Sequence, residues 1–404
     1  MLLKLAFRNV LRQKLRTAMT LAAIVFGVAG LILSGGFVQD IFIQLGEAFI
    51  HSQTGHVQVF RKDYLEKGSR QPDKFMIAAP DKLAATLATH PAVDTVSARL
   101  NFAGLLNNGK RDLAIIGEGI EPDKEARIGT FVKVTAGRHL TDKDQFGMFV
   151  GQGVANTLNL HPGDTVNLVM NTSDGALNAL EFTVIGVFQS FSQEFDARAV
   201  RIPLAAAQEL LATKGSNLLV VSLHRTEDTD TVLAWIHQQL DPAILDAQSW
   251  RQLSDFYDKT ILLYDRQFGV LQWIILFMVL LSVINSVNMS TFERISEFGT
   301  LQALGNRQMD VFKLLMIESC VVGLFGATLG VLAGMLLAML ISAIGIPMPP
   351  PPIGNVGYIA YIRIVPSTVI NAWLIGFLAT VLASILPARK IVRIPLVDAL
   401  RQSI

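Results

Sequence analysis

Gln267-Phe-Gly-Val-Leu-Gln-Trp-Ile-Ile-Leu-Phe-Met-Val-Leu-Leu-Ser-Val-Ile-Asn-Ser-Val-Asn-Met-Ser-Thr-Phe292 runs for 26 residues without a charged side chain. About 20 apolar residues are enough to cross the hydrocarbon core of a bilayer, so this stretch reads as a membrane helix. Three other stretches behave alike. Thr17 to Gln39 is charge-free over 23 residues, Ser319 to Ile362 over 44 and Ile364 to Ala388 over 25. The 44-residue stretch is too long for one span. Its second part, Ile346-Pro-Met-Pro-Pro-Pro-Pro-Ile353, cannot continue a helix because proline lacks the amide donor and clashes with the preceding turn. It therefore divides into a helix and an irregular loop.

The order that follows is an α-helical membrane protein with four spans and a large extracytoplasmic mixed α/β domain inserted between the first two. In segments, 1–16 is an amphipathic interfacial helix, 17–39 the first span, and 40–266 the outer domain with helical stalks at Asp40–Ser52 and Ser249–Arg266. Then come a second span at 267–292, a cytoplasmic coupling helix at 293–311, and a third span at 312–344. An outer loop at 345–365, a fourth span at 366–387 and a cytoplasmic tail at 388–404 complete the chain. The whole sequence agrees in composition. Of 404 residues 51% are apolar and 17% charged, against about 25% charged in a soluble domain. A net charge of +1 gives no support to a nucleic-acid partner. The single cysteine, Cys320, excludes an intrachain disulfide or a cysteine metal cluster.

Lysine and arginine near the membrane ends set orientation. Lys4, Arg8, Arg12, Lys14 and Arg16 precede the first span, Arg294, Arg307 and Lys313 lie between the second and third, and Arg389, Lys390, Arg393 and Arg401 follow the fourth. The loop between the third and fourth carries only Arg363. Both termini are then cytoplasmic and the large domain is outside. The first apolar run is longer than a signal-peptide core and ends in no A-x-A site, so it is expected to stay. In the first sixteen residues Leu3, Phe7, Val10, Leu11 and Leu15 share one face and the basic residues recur at four-residue steps, as in a helix lying on anionic headgroups.

Strands are expected at 56–60, 95–102, 113–117, 148–150, 165–170, 182–187 and 217–223, and helices at 81–89, 204–213 and 228–239. Asn107-Asn108-Gly109 has hairpin-turn chemistry. In the third span Gly326, Gly330, Gly334, Ala338 and Ser342 stand four apart, spacing that lets helix backbones approach closely in lipid. The stripe suits packing inside one subunit or a seam with a second.

No catalytic or metal-binding pattern emerges. The seven histidines form neither H-E-x-x-H nor another ligand spacing, and G-x-S-x-G is absent. Gly104-Leu-Leu-Asn-Asn-Gly109-Lys110 matches G-x-x-x-x-G-K, but Arg111 stands where a magnesium-binding Ser or Thr belongs. No ATPase and no cofactor site is therefore expected in this chain. Glu318, just inside the start of the third span, is the one candidate for an intramembrane ionisable group. It is either part of an ion path or a packing residue near the cytoplasmic interface.

Asn288-Met-Ser-Thr-Phe-Glu-Arg-Ile-Ser-Glu-Phe-Gly-Thr-Leu-Gln-Ala-Leu-Gly305 follows the second span. Glu293 and Glu297, one helical turn apart, would present charge to one surface of a cytosolic partner. The segment resembles the cytoplasmic signature of the MacB/FtsX-type ABC transporter permeases, R-x-x-E-x-G-x-L-R-A-L-G. It stands here as Arg294, Glu297, Gly299, Leu301, Gln302, Ala303, Leu304 and Gly305, with Gln302 in place of the usual arginine. The start Ala6 to Leu21, and Pro387 to Pro395 with Asp398 to Arg401, are similar to that family's entry and closing segments. Thr54-Gly-His-Val-Gln58 resembles the lipoprotein-releasing, LolC/LolE-like branch.

The resemblance implies a separate cytoplasmic ABC ATPase dimer that binds ATP and Mg and docks at Glu293, Arg294, Glu297, Gly299, Leu301, Leu304 and Gly305. It further implies a second permease, identical or homologous, in contact with membrane lipids, and a periplasmic carrier or adaptor. The location implied is the inner membrane of a Gram-negative cell. The task implied is extraction of lipoproteins or lipids toward the outer membrane. Two alternatives share the motifs: the permease of a tripartite efflux pump for small molecules or peptides, and an FtsX-like regulator of a cell-wall hydrolase that transports nothing.

Overall fold

A computed structural model describes residues 8, 12, 14–68, 72–77, 79–172, 175–350 and 357–392. Most of the expected amphipathic N-terminal helix, the end of the proline loop and most of the closing segment lie outside these residues. The chain divides into two units. One takes in Met1–Phe42, Thr260–Pro347 and Ile359–Ile404, the other Ile43–Lys259 and Met348–Tyr358.

Among the described residues the first unit contains four helices long and apolar enough to cross a membrane. Lys14–Phe49 is the first, Asp255–Phe292 the second, Gln308–Ile344 the third and Pro366–Val392 the fourth. The second begins later than the expected stalk. Ser249 and Gln252 instead cap a separate short helix, Trp250–Leu253, and Ser254 breaks the chain before the long helix starts. The third begins at Gln308 because the Asp310 carboxylate accepts from the Arg307 amide, closing the first turn. Two short strands, Ile346–Met348 and Tyr358–Ala360, occupy part of the stretch read as irregular.

The core of this unit is made by Ile24, Val28, Leu31 and Ile32 of the first helix, Val279 and Val283 of the second, Ala327 of the third, and Ala372 and Ala383 of the fourth. The glycine stripe of the third helix faces the first. A Cβ added at Gly326 would meet Ile24 at 3.0 Å, at Gly330 Val28 at 2.7 Å, and at Gly334 the Ala29 backbone at 3.1 Å. Close backbone approach is what small residues supply in lipid, where no hydrophobic force draws helices together. Of the two uses open to the stripe, the contact inside the chain takes up this face. The second helix differs. Only 6% of its most apolar window is buried.

The second unit is α/β. Its strands are β1 (Val57–Arg61), β2 (Val93–Asn107), β3 (Asp112–Ile120), β4 (Lys133–Gly137), β5 (Gly147–Gly151), β6 (Thr165–Asn171), β7 (Leu177–Gln189), β8 (Ala199–Pro203), β9 (Leu218–Leu223) and β10 (Leu245–Ser249). They form one sheet in the order β10-β1-β9-β2-β3-β8-β5-β7-β4, with β6 against β2 and β7. β2 is 15 residues long and serves two cores. Its first half pairs with β9, its second with β3 and β6. Around the first half, Val57, Val59, Val96, Leu219 and Val221 pack under Leu87, Val232 and Ile236 of the helices Pro80–Leu87 and Thr229–Gln239. Around the second, Leu100, Phe102, Met148, Leu168, Phe182 and Val200 pack under Leu158 and Leu210 of the helices Gln152–Leu158 and Leu204–Leu211.

The phosphate-loop lookalike is the β2–β3 turn. There Asn107 Oδ1 accepts from the Gly109 amide, and Asn108 Oδ1 from the amides of Lys110 and Arg111. Those donors, which a phosphate loop would turn toward its anion, are already occupied.

Candidate functional site

The signature segment folds into the helix Ile295–Ala303. Glu293 and Arg294 lie in the turn before it. The expected one-turn spacing of Glu293 and Glu297 along a single helix therefore does not hold. The motif residues divide between two faces. Arg294, Phe298 and Gly299 are buried, and Leu301 packs half-buried against Phe298, Val311, Leu315 and Ala388. Glu293, Glu297, Leu304 and Gly305 face outward, Leu304 with 77% of its surface exposed. Gly305 ends the helix with φ +95°, a conformation that favours glycine, while the Asn306 amide donates to the Leu301 carbonyl at 3.1 Å.

Arg294 ties the inner face together. Its guanidinium donates to both carboxylate oxygens of Glu318, at 2.8 and 3.3 Å, and its Nε to Glu297 at 3.0 Å. It lies 4.9 Å from the ring centre of Phe298. Burial alone would lower its pKa, but the hydrogen bond and charge of Glu318, then of Glu297, outweigh it and hold the group above its ordinary range. Glu318 thus has a fixed ionic partner in the first half of the third helix. Glu297, half exposed, also lies 3.8 Å from Arg12.

At the other end of the first helix Asp40 is fully buried. Its carboxylate accepts from Arg363 Nε and from the Tyr361 amide, each at 2.8 Å, and the Arg363 amide donates to the Gly36 carbonyl. The sole charge of the loop between the third and fourth helices is therefore paired to the first.

Within the α/β unit lies a group that sequence reading missed. Arg99 on β2, Glu118 on β3, Glu125 on the helix Pro122–Ile128 and Arg201 on β8 are all buried. Arg99 binds Glu125 through two bonds of 2.6 and 2.8 Å and lies 3.8 Å from Glu118, which accepts from Arg201 at 2.8 Å. Two cations and two anions leave no net charge. Burial opposes the ionised forms, yet the charges of Glu125 and Glu118 raise Arg99 above its ordinary range, and Arg99 holds Glu125 below its own. Both arginines have a donor left over. Arg99 Nη1 donates to the Gln53 carbonyl, and Arg201 Nη2 to the Ser52 carbonyl at 3.0 Å.

Ser52 and Gln53 belong to Ile50–Thr54, a turn of π-helix that follows the first long helix. The Thr54–Gln58 motif shapes the exit from it. Gly55 takes φ +64° and Gln58 Nε2 donates back to the Thr54 carbonyl. His56 Nδ1 accepts from the Leu223 amide, so its proton sits on Nε2 and points at Thr226 Oγ1, 3.1 Å away, which in turn donates to Glu47 at 2.6 Å. Burial pushes the His56 pKa down to about 4. No signal in a single sequence marks the quartet, because its members are charged residues set one by one in three strands and a short helix. Among the described residues no group of three or more His, Cys, Asp or Glu could hold a metal ion.

Comparison with known proteins finds two family models in order along the chain. Residues 17–239 match the family model of the MacB-like periplasmic core domain, and residues 269–396 that of the FtsX-like permease C-terminal region. An uncharacterized ABC transporter permease of Methanocaldococcus jannaschii is 24% identical over 289 residues, which are 66% of this chain and 65% of the relative. The lipoprotein-releasing system transmembrane protein LolE of Haemophilus influenzae is 20% identical over 64% of this chain and 63% of its own. A macrolide export ATP-binding/permease protein MacB of Sodalis glossinidius is 24% identical over 85% of this chain and 53% of its own. The chain thus spans less than two thirds of the length of each of these three relatives. With both family models matched in order, the first across more than half of its length, this chain belongs to the MacB/FtsX-type family of ABC transporter permeases.

Proposed function

We propose that the chain is the permease subunit of an ABC transporter in the inner membrane of a Gram-negative cell, with both termini cytoplasmic and the α/β unit outside. The four apolar helices are the spans. A separate ATPase dimer, which binds ATP and Mg, docks at the outward face of the loop helix, and a second permease completes the assembly. The observation that carries this reading is the division of the signature segment into two faces. Arg294, Phe298 and Leu301 fix the helix to the third and fourth long helices, while Glu293, Glu297 and Leu304 are exposed on its outward face. Leu304 and Met309, both large, apolar and exposed, supply the contact area that such a partner would cover.

The substrate in this reading is a lipoprotein or lipid drawn from the outer leaflet and passed to a periplasmic carrier. The likeness to the Haemophilus LolE and the Thr54–Gln58 motif support it. A second reading, a tripartite efflux permease for small molecules or peptides, has the MacB-like core match and the macrolide-export relative in its favour. Leu304→Arg tests the docking face. The variant should insert and fold as the parent does, but its co-purification with the ATPase should fall. An unchanged yield of complex would remove the loop helix from the coupling role. Release of a lipid-anchored peptide from proteoliposomes, set against efflux of a dye, separates the two substrate classes.

A further inference from the structure

We infer that the buried Arg99–Glu118–Glu125–Arg201 quartet is the joint through which the first long helix is gripped by the sheet of the α/β unit. The inference rests on the transporter reading above, in which that helix carries motion outward.

Three observations converge on it. The last carbonyls of a helix have no partner within the helix and must find donors elsewhere. Here the Ser52 and Gln53 carbonyls, in the π-helical end of the longest apolar segment, find two guanidiniums. A positive charge at a helix C-terminus is also favoured by the helix dipole. Next, each guanidinium spans two directions. Arg201 holds Glu118 of the sheet with Nε and the helix end with Nη2. Arg99 holds Glu125 with Nε and Nη2 and the helix end with Nη1. A planar, five-donor fork can do this and an ammonium cannot. Finally, a buried ion pair is often no more stabilising than an apolar pair of the same volume. Stability alone therefore gives no reason for four charges here, whereas directed bonds to one helix end do.

The arginines are positioning residues, acting through the Ser52–Thr54 backbone. Arg201 is further aligned by Phe188 and Phe195, with its guanidinium 5.3 and 5.9 Å from their ring centres. Moving the first helix along its axis would then load β2, β3 and β8 together, because the four side chains come from those strands and the helix between them.

The test uses the full chain in nanodiscs with its co-purified ATPase and a fluorescent triacylated peptide as probe. Two measurements are taken: peptide released per ATP hydrolysed, and amide hydrogen exchange at residues 50–56. The variant is Arg99→Met with Glu125→Leu, which removes the charge pair as a unit and so preserves the fold, while deleting the bond to Gln53. A second variant, Arg201→Lys, keeps the charge and loses the fork.

In both, ATP hydrolysis should stay near the parent rate, exchange at 50–56 should rise, and release per ATP should fall by about ten-fold or more, the scale of a lost charge-assisted hydrogen bond. Release per ATP at the parent value in both variants would overturn the joint. So would a parallel fall of hydrolysis and release with unchanged exchange at 50–56, since that is the signature of lost folded protein. Absence of ATP-dependent release in the parent would instead strike the substrate reading. The exchange at 50–56 would then still decide the grip, an unchanged rate in both variants counting against it.

Discussion

The α/β unit and the helical unit handle charge in opposite ways. The first places two arginines and two glutamates in its interior, each less than a tenth exposed. The second packs glycine against isoleucine, valine and alanine along its length, and its ion pairs Asp40 with Arg363 and Arg294 with Glu318 each join a long helix to a connecting segment. The difference follows from what surrounds each unit. A soluble domain can fold around charges if they arrive paired, since water is available to the chain until the last step. A helix in lipid has no such reservoir, so its interior is closed by van der Waals contact, and the few charges it carries are held by a fixed partner.

The largest expected effect breaks the pairing in the α/β interior. Arg99→Met alone leaves Glu125 buried without its cation and should destabilise the unit by about 3–5 kcal/mol. Adding Glu125→Leu should recover most of that loss. Urea unfolding of the full chain in detergent reads both, and a single variant as stable as the double one would mean the quartet is not electrostatically closed.

His56 gives the next effect. Its pKa is about 4 in the folded chain against an ordinary 6.5. Between those values the unfolded chain binds a proton that the folded chain refuses, so stability is complete above pH 6.5 and falls as pH drops toward 4. The full loss is about 3 kcal/mol, at 1.36 kcal/mol per unit. Subtracting the same profile for His56→Gln isolates this group from Glu47 and His51 beside it. Equal slopes for parent and variant would show that His56 is not the group held neutral.

In the helical unit, Gly330→Leu forces a side chain against Val28 and the Val25 backbone. Overpacking of this kind costs about 1–3 kcal/mol. Unfolding in mixed micelles should show the loss, and Leu329→Ala, on the exposed face of the same helix, should show far less. The smallest effect belongs to Glu297. Its carboxylate is half exposed, so Glu297→Lys should change stability by only about 0–1 kcal/mol, although it also turns an acceptor of Arg294 into a repeller. A loss as large as that of Arg99→Met would place Glu297 among the residues that hold the fold.

The four long apolar helices, the hairpin turn at Asn107–Gly109 and most strands of the α/β unit were legible because each writes a local pattern. Charge-free length marks a span, and alternation marks a strand with one buried face. β4, β8 and β10 were not read. β4 is an exposed edge strand, Lys-Val-Thr-Ala-Gly, with little to alternate. β8, Ala-Val-Arg-Ile-Pro, is wholly buried yet carries an arginine, and β10, Leu-Asp-Ala-Gln-Ser, is mostly polar. The helices Pro122–Ile128 and Gln152–Leu158 are too short for a 3.6-residue period to show. In the loop helix the residue types were legible but the faces were not, because Arg294 reads as a surface charge until Glu318, 24 residues later, is brought to it.

By itself the sequence determined which segments are apolar enough for lipid, where glycine can let helices touch, and the order of helix, α/β unit and three more helices. Those properties depend on neighbours within a turn or two of the chain. The tertiary structure alone decided that the glycine stripe meets the first helix, that Asp40 holds Arg363, and that Arg99 and Arg201 converge on two carbonyls of Ser52 and Gln53. Those pairings join residues from 46 to 323 positions apart. Nothing in the local spacing of such residues differs from that of solvated charges, and it is burial, which the fold creates, that turns them into fixed partners.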